Sequence, residues 1–297
     1  LVTMENGKYL KKILEVLRNI GKDKSNADGA SRTPAYDIHH KILNTKDHGI
    51  PQSRARWYCV GLRKDVVDTR SGGSSFEFPS IISCPSMAEF LDDPLKPTST
   101  SKEVALSSTA KSNIQDAHTK IRAAGFNPDK DTYIVDCDAP KSRRSFIFEL
   151  SPCITRSRMN GHWITDRKRR FTLQEMFRLQ GMDHSTFILD NPVDEIGRQL
   201  GNAMSVNVIE RVIKCALSAI KPQGFILPPI LQDRWSSGKA LKELQANRSK
   251  SFKSLEVEAP NELKKAKASR PTSQPPQKLL SILGTLFSPS TSYCPKR

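Results

Sequence analysis

Apolar residues recur every three or four positions at Tyr9, Leu10, Ile13, Leu14, Leu17 and Ile20, which predicts a helix that Gly21 ends. The short run Leu1-Val-Thr-Met4 ahead of it reads as the end of a strand. After a polar stretch from Lys22 to Thr33 the period changes. Tyr36-Asp-Ile-His-His-Lys-Ile-Leu43 alternates as a strand does, and Trp57-Tyr-Cys-Val-Gly-Leu62 predicts a second strand; a loop with Gly49 and Pro51 joins them, so an antiparallel pair is expected. From about Lys64 to Pro140 the pattern dissolves into Ser, Thr, Pro and Gly, which predicts a small, loop-rich insertion. Near its end Tyr133-Ile-Val-Asp-Cys137 and Ser145-Phe-Ile-Phe-Glu149 flank the turn Asp138–Arg144, a hairpin whose basic tip either faces phosphate or is simply solvated.

Regular structure resumes at Thr172-Leu-Gln-Glu-Met-Phe-Arg-Leu179, where Leu173, Met176, Phe177 and Leu179 share a face and Thr172 with Glu175 has the spacing of a capping box. A further helix is predicted from Ser205 to Ile220, with a buried stripe of Val206, Ile209, Val212, Ile213, Ala216, Leu217 and Ile220, stopped by Pro222. Four regions result: an α/β unit over residues 1–63, an insertion over 64–150, a return to regular structure over 151–220, and a basic, largely disordered tail over 221–297.

Charge narrows the class of partner. The formal charge of +16 over 297 residues implies a polyanion, because Lys and Arg near phosphates release condensed counterions. Nucleic acid ranks ahead of an acidic membrane surface. The tail holds 14 Lys/Arg against 5 Asp/Glu, a net of +9, so a loose phosphate-binding arm is expected there. Its apolar run Leu279–Phe287 is too short to span a bilayer, and no membrane partner is expected. The six cysteines show no CxxC pair and no zinc spacing, so reduced thiols and no metal are expected. A soluble, intracellular protein is expected, and the abrupt start at Leu1 reads as truncation.

Candidate chemistry then accumulates in a fixed order. Glu5-Asn6 stands between a strand end and a helix. About forty residues on, Gly49-Ile-Pro-Gln-Ser-Arg-Ala-Arg56 enters a strand, with Arg54 and Arg56 two apart on an extended segment and so able to project guanidinium forks to one face. Ser151-Pro-Cys-Ile-Thr-Arg-Ser157 and Arg170–Gly181 follow, and then Gln199-Leu-Gly-Asn-Ala-Met-Ser-Val-Asn-Val208. Gly201 would permit a turn there, and Asn202 would cap a helix. These segments resemble the sixth, eighth, ninth and tenth motifs of the cytosine-C5 DNA methyltransferases, over residues 1–63 and 150–220. Gly7 stands where that family usually has Val.

The resemblance implies an α/β fold: a partial class I S-adenosylmethionine-dependent methyltransferase (Rossmann-like) sheet with a small inserted target-recognition domain. It implies that Glu5 contacts N3 and the exocyclic amine of a flipped cytosine, and that Arg56 holds the O2 of that base. It places Gln52, Arg54 and Arg156 as DNA-facing groups, and Asn202 and Ala203 at the S-adenosyl-L-methionine site. The partner implied is double-stranded DNA. The family's glycine-rich cofactor loop and its Pro-Cys nucleophile precede the Glu-Asn motif, where this chain has four residues. A missing N-terminal half of the catalytic domain is therefore implied, and the chain alone should be inactive. Cys153 is read as a structural thiol. Competing readings are an inactive methyltransferase-like regulator that binds DNA and, with less support, a tRNA cytosine methyltransferase. The implied location is the nucleus in a eukaryote and the cytoplasm otherwise.

Overall fold

The computed structural model describes residues 2–21, 35–65, 76–93, 105–220 and 232–253. Helix α1 (Lys8–Arg18) forms as its spacing predicts, entered through Gly7 in the left-handed region at φ 82. Residues ahead of it differ from expectation: Met4–Gly7 is a 3-10 turn. Among the described residues no strand lies beside Val2–Met4 to pair with it, and an extended run without a ladder partner gains no backbone hydrogen bonds. Only Leu14 of α1 is buried; Tyr9, Ile13, Val16 and Ile20 stand exposed.

Strands β1 (Tyr36–Asn44) and β2 (Ala55–Arg63) pair antiparallel over their full length, from Tyr36 opposite Arg63 to Asn44 opposite Ala55. Leu43 and Tyr58 point to one side of this ribbon, where Val208 and Val212 of helix α5 (Val206–Ser218) cover them. Helix α5 does not bury its most hydrophobic stripe. Asn207 and Arg211 are buried while Ile213 and Leu217 are exposed, because the two polar side chains bond to the turn between β1 and β2, an arrangement that hydrophobic spacing does not register.

The insertion is more regular than its composition predicts. A sixteen-residue helix, α2 (Ser108–Ala123), is capped by Ser107 and packs Ala110, Ala117 and Ile121 against Tyr133, Val135 and Cys137. Its sequence, Ser-Thr-Ala-Lys-Ser-Asn-Ile-Gln, carries small and polar residues that conceal the period; Asn113 is buried to donate to the carbonyls of Cys137 and Ala139, each at 2.8 Å. The hairpin forms as predicted between β3 (Tyr133–Val135) and β4 (Phe146–Phe148). It continues through β5 (Trp163–Ile164) and β6 (Arg169–Arg170) into an antiparallel sheet ordered β4-β3-β5-β6. The boundary expected at residue 150 therefore runs through this sheet. The mixed α/β class implied by the resemblance is what the described residues show.

The main core gathers Ile50, Phe90, Ile154, Met176, Phe177 and Leu179 with Leu200 of helix α4 (Val193–Asn202). Helix α3 (Leu173–Leu179) carries the predicted capping box. The core also contains Trp235, with Ala240 and Leu244 of helix α6 (Lys239–Ala246), so residues 232–253 do not form the loose tail expected from residue 221. One turn-rich stretch with three apolar anchors is too short for a periodic signal and is outweighed by the surrounding charge. The rest of that tail, including Leu279–Phe287, lies outside the described residues.

Glu175 is fully buried and accepts from both Arg169 Nη atoms at 2.8 and 2.7 Å, from Asp92 N at 2.7 Å and from Thr172 N at 2.8 Å. Glu175→Ala should lower stability by about 3 kcal/mol, since it strips the half-buried Arg169 guanidinium and two buried amides of their acceptor. Urea unfolding checks this; a loss under about 0.5 kcal/mol, the scale of ordinary surface changes, contradicts it.

Candidate functional site

The turn from Thr45 to Arg54 reverses β1 into β2, with Gly49 at φ 91. Asn44 Oδ1 accepts from Arg54 N at 2.8 Å across its neck. From the side, Asn207 Nδ2 donates to the carbonyls of Thr45 (3.1 Å) and His48 (2.8 Å), and Thr45 Oγ1 donates to Ser205 Oγ at 2.8 Å. Sequence spacing does not reveal Asn207 and Arg211 as partners of this turn, or His48 as theirs: both helix residues lie off the apolar stripe that the spacing picks out on α5, so no signal marked them.

Inside the turn, Gln52 is fully buried, donating to Leu179 O at 2.7 Å and accepting from Ile154 N at 3.4 Å. Arg54 is buried as well. Its Nη1 donates to Ile154 O at 2.5 Å and its Nη2 to the carbonyls of Gly201 (3.1 Å) and Ala203 (2.6 Å). Burial lowers its pKa from the ordinary arginine value. The expectation that Gln52 and Arg54 face DNA is thus corrected: the Gln52 amide and both Nη atoms of Arg54 bond to the chain, because a side chain turned inward at the neck of this loop must find partners there.

Arg56, two residues on, remains exposed on β2, donating from Nη1 to Ala55 O at 2.8 Å. Its Nη2 lies 3.4 Å from Cys153 Sγ, and Arg54 Nη1 lies 3.4 Å from the same sulfur. The two arginines do share a face, as their spacing requires, but at different depths. Cys153 is half-buried between them.

Arg156 is exposed on a 3-10 turn, Arg156–Arg158. That turn lies directly on α4. A Cβ at Gly201 would sit 2.3 Å from Arg156 N, and one at Gly197 would sit 2.2 Å from Met159 O. Two glycines four apart on one helical face open the groove that seats it. Gly201 therefore serves close approach, not a turn. Asn202 also differs from expectation: it is the last residue of α4 and exposed, while Ser205 occupies the position before α5. The chain needs two residues, Ala203 and Met204, to leave one helix before starting the next, which moves Asn202 away from the N-cap.

Glu5 and Asn6 adopt φ 44 and 54 ahead of Gly7. Such left-handed conformations at non-glycine positions cost roughly 1–3 kcal/mol each. Glu5 is exposed, accepting from Tyr9 Oη at 3.1 Å with Lys8 at 4.0 Å. No described hydrogen bond or ion pair joins it to Arg56. The basic hairpin presents Lys141 and Arg143 as exposed residues. Its base is held by Arg170, bidentate to Asp138 at 2.7 Å through both Nη atoms, and by Arg158 on Asp136 at 2.5 Å.

A sequence model of the family described as C-5 cytosine-specific DNA methylase matches residues 1–217. The chain is similar to the Type II methyltransferase M.HaeII of Haemophilus aegyptius, 25% identical over 228 residues that cover 74% of this chain and 58% of that protein. It is also similar to the Type II methyltransferase M.NgoBI of Neisseria gonorrhoeae, 27% identical, covering 73% of this chain and 58% of that protein. A solved methyltransferase from Entamoeba histolytica, EhMeth, aligns at a TM-score of 0.44 and 16% identity, over 74% of this chain and 61% of that one. The chain spans 58% of the length of these two curated relatives.

His48 anchors the site electrostatically. Burial, and then the Arg211 guanidinium, lower its pKa from 6.5 to about 4. The unfolded chain takes up this proton near pH 6.5 and the folded one only near pH 4. The stability that neutral His48 contributes is therefore complete above 6.5 and lost as pH falls to 4, by up to roughly 3 kcal/mol. His48→Asn should flatten that part of the pH dependence of the urea midpoint; curves for variant and native protein that run parallel contradict it.

Proposed function

The chain belongs to the C-5 cytosine-specific DNA methylase family, and from that premise we propose that it is the base- and DNA-facing part of a DNA (cytosine-5-)-methyltransferase. The observation that carries this reading is the contrast within the turn: Gln52 and Arg54 are locked inside the protein, and Arg56 alone of the three is offered outward on a fixed strand. A guanidinium held that way suits a base carbonyl whose charge grows during reaction, since a preorganised donor loses no free energy to reorganisation.

In the proposed reaction an extruded cytosine lies against Arg56 through O2, and Glu5 holds or donates a proton at N3. The exposed carboxylate of Glu5 is free of any acidic neighbour among its described partners, which are Tyr9 and Lys8. S-adenosyl-L-methionine supplies the methyl group. Asn202 is compatible with a place beside it: its side chain is exposed and carries no helix-capping duty. Ala203 is half-buried next to it, its carbonyl already committed to Arg54. Arg156 and the hairpin residues Lys141 and Arg143 are exposed cations available to the phosphates of duplex DNA.

The nucleophile is proposed to come from a further part of the catalytic domain that this chain does not contain. The uncovered apolar residues of α1, together with Ile213 and Leu217 of α5, support such a part, as large apolar patches usually mark an interface. DNA as substrate places the action in the nucleus of a eukaryote, or in the cytoplasm otherwise.

Single-turnover methyl transfer at saturating duplex DNA, by the chain joined to its remaining catalytic part, tests this. Arg56→Ala should slow transfer by about 10²–10³-fold, and Arg56→Lys should rescue little, because an ammonium lacks the planar fork. DNA affinity should change far less than the rate. Residues 1–297 alone should transfer nothing. Weakened binding with an unchanged rate reassigns Arg56 to the DNA backbone, and DNA binding without transfer by the joined protein favours the regulatory reading.

A further inference from the structure

Residues 232–253 lie beyond the stretch that matches the family, which ends at residue 217, yet they are built into the site from behind. Asp233 Oδ2 accepts from Arg211 Nε at 2.8 Å. The same guanidinium, 3% exposed, donates from Nη1 to Ser80 O at 2.8 Å and to His48 Nδ1 at 2.5 Å. Trp235 comes within 3.6 Å of the place a Cβ would take on Gly49, and its Nε1 donates to Glu210 Oε2 at 3.1 Å.

The far end of the segment is tied down separately. Gln245 Nε2 donates to Glu89 at 2.8 Å, Asn247 Nδ2 to Asp183 at 2.5 Å, and the Lys250 carbonyl lies 2.7 Å from His184 Nε2. Apolar packing by Trp235 and Leu244 would hold such a segment on its own. A buried charge relay adds a desolvation cost that packing does not require, and the best-attested return on such a cost is a fixed register. Here the relay ends on the turn that leads to Arg56.

We propose that residues 232–253 are a clasp that sets the position of the turn Thr45–Arg54, with Asp233 a positioning residue acting through Arg211 on His48. Its consequence for DNA rests on the reading of Arg56 given above; the clasp itself does not. Without Asp233 the Arg211 guanidinium keeps only neutral partners, and the turn loses the element that aims it. Asp233 touches no substrate in this account.

Hydrogen exchange on the full 297-residue chain tests the clasp, because the amides of Thr45, His48, Gln52, Ser53 and Arg54 are all hydrogen-bonded within or beside the turn. Asp233→Ala should speed their exchange by about 10-fold or more and leave the β3–β4 amides at native rates. Asp233→Asn keeps one carbonyl oxygen for the guanidinium and should restore part of the protection. If Asp233→Ala does not fold, an intermediate, turn-specific rise in Asp233→Asn is the supporting result. Native exchange in the turn for whichever variant folds, or a rise spread evenly over the chain, overturns the proposal. The single-turnover methyl-transfer rate of Arg56→Ala, in the chain joined to the further catalytic part proposed above, is measured alongside. If it equals the native rate, the role given to Arg56 fails while the exchange result still decides the clasp.

Discussion

The site depends on one buried cation. Arg54 has no carboxylate partner among the described residues; its two Nη atoms donate to the carbonyls of Ile154, Gly201 and Ala203, while its Nε is buried without an acceptor. Taking such a charge out of water costs several kcal/mol, and hydrogen bonds to charged groups return about 1.5–3 kcal/mol each. The balance holds only if all three carbonyls stay in place. Three segments far apart in sequence are thereby fixed around one side chain: the strand start at Ala55, the run at Ser151–Thr155 and the exit from α4. Gly197 and Gly201 make this geometry possible by letting the 155–159 turn rest on the helix backbone.

What the sequence made legible follows from this dependence. The antiparallel pair, the capped helix at Thr172–Glu175 and the hairpin near Tyr133 are local patterns, and each was readable from period and turn chemistry alone. Roles that depend on depth were not. Gln52, Arg54 and Arg56 look equivalent in a line of text, and only the packing of Ile154 and Leu179 over the turn decides which of them turns inward. Asn202 failed as a helix cap for a related reason: the sequence shows a Gly-Asn pair but not which of two adjoining helices it ends.

Long-range partnerships account for the remaining differences. Helix α5 buries Asn207 and Arg211 in preference to Ile213 and Leu217, since the turn and Asp233 present acceptors on one side and nothing described covers the other. Helix α2 hides its period behind small and polar residues, and α6 behind surrounding charge. The contacts that bury these faces, Arg211 on His48, Asn113 on the Cys137 carbonyl and Leu244 in the main core, join residues distant in sequence, which amphipathic spacing does not encode.

The arrangement amounts to a buried inner layer, Gln52 and Arg54, beneath an outer cation, Arg56, on the face proposed to receive a base. A structure of the protein, joined to the further catalytic part proposed for it, in complex with a DNA duplex tests this proposal most directly. The account predicts one base out of the stack with Arg56 within hydrogen-bond distance of its O2, while Arg54 keeps its bonds to Ile154, Gly201 and Ala203. A duplex with every base stacked and Arg56 on a phosphate would contradict it.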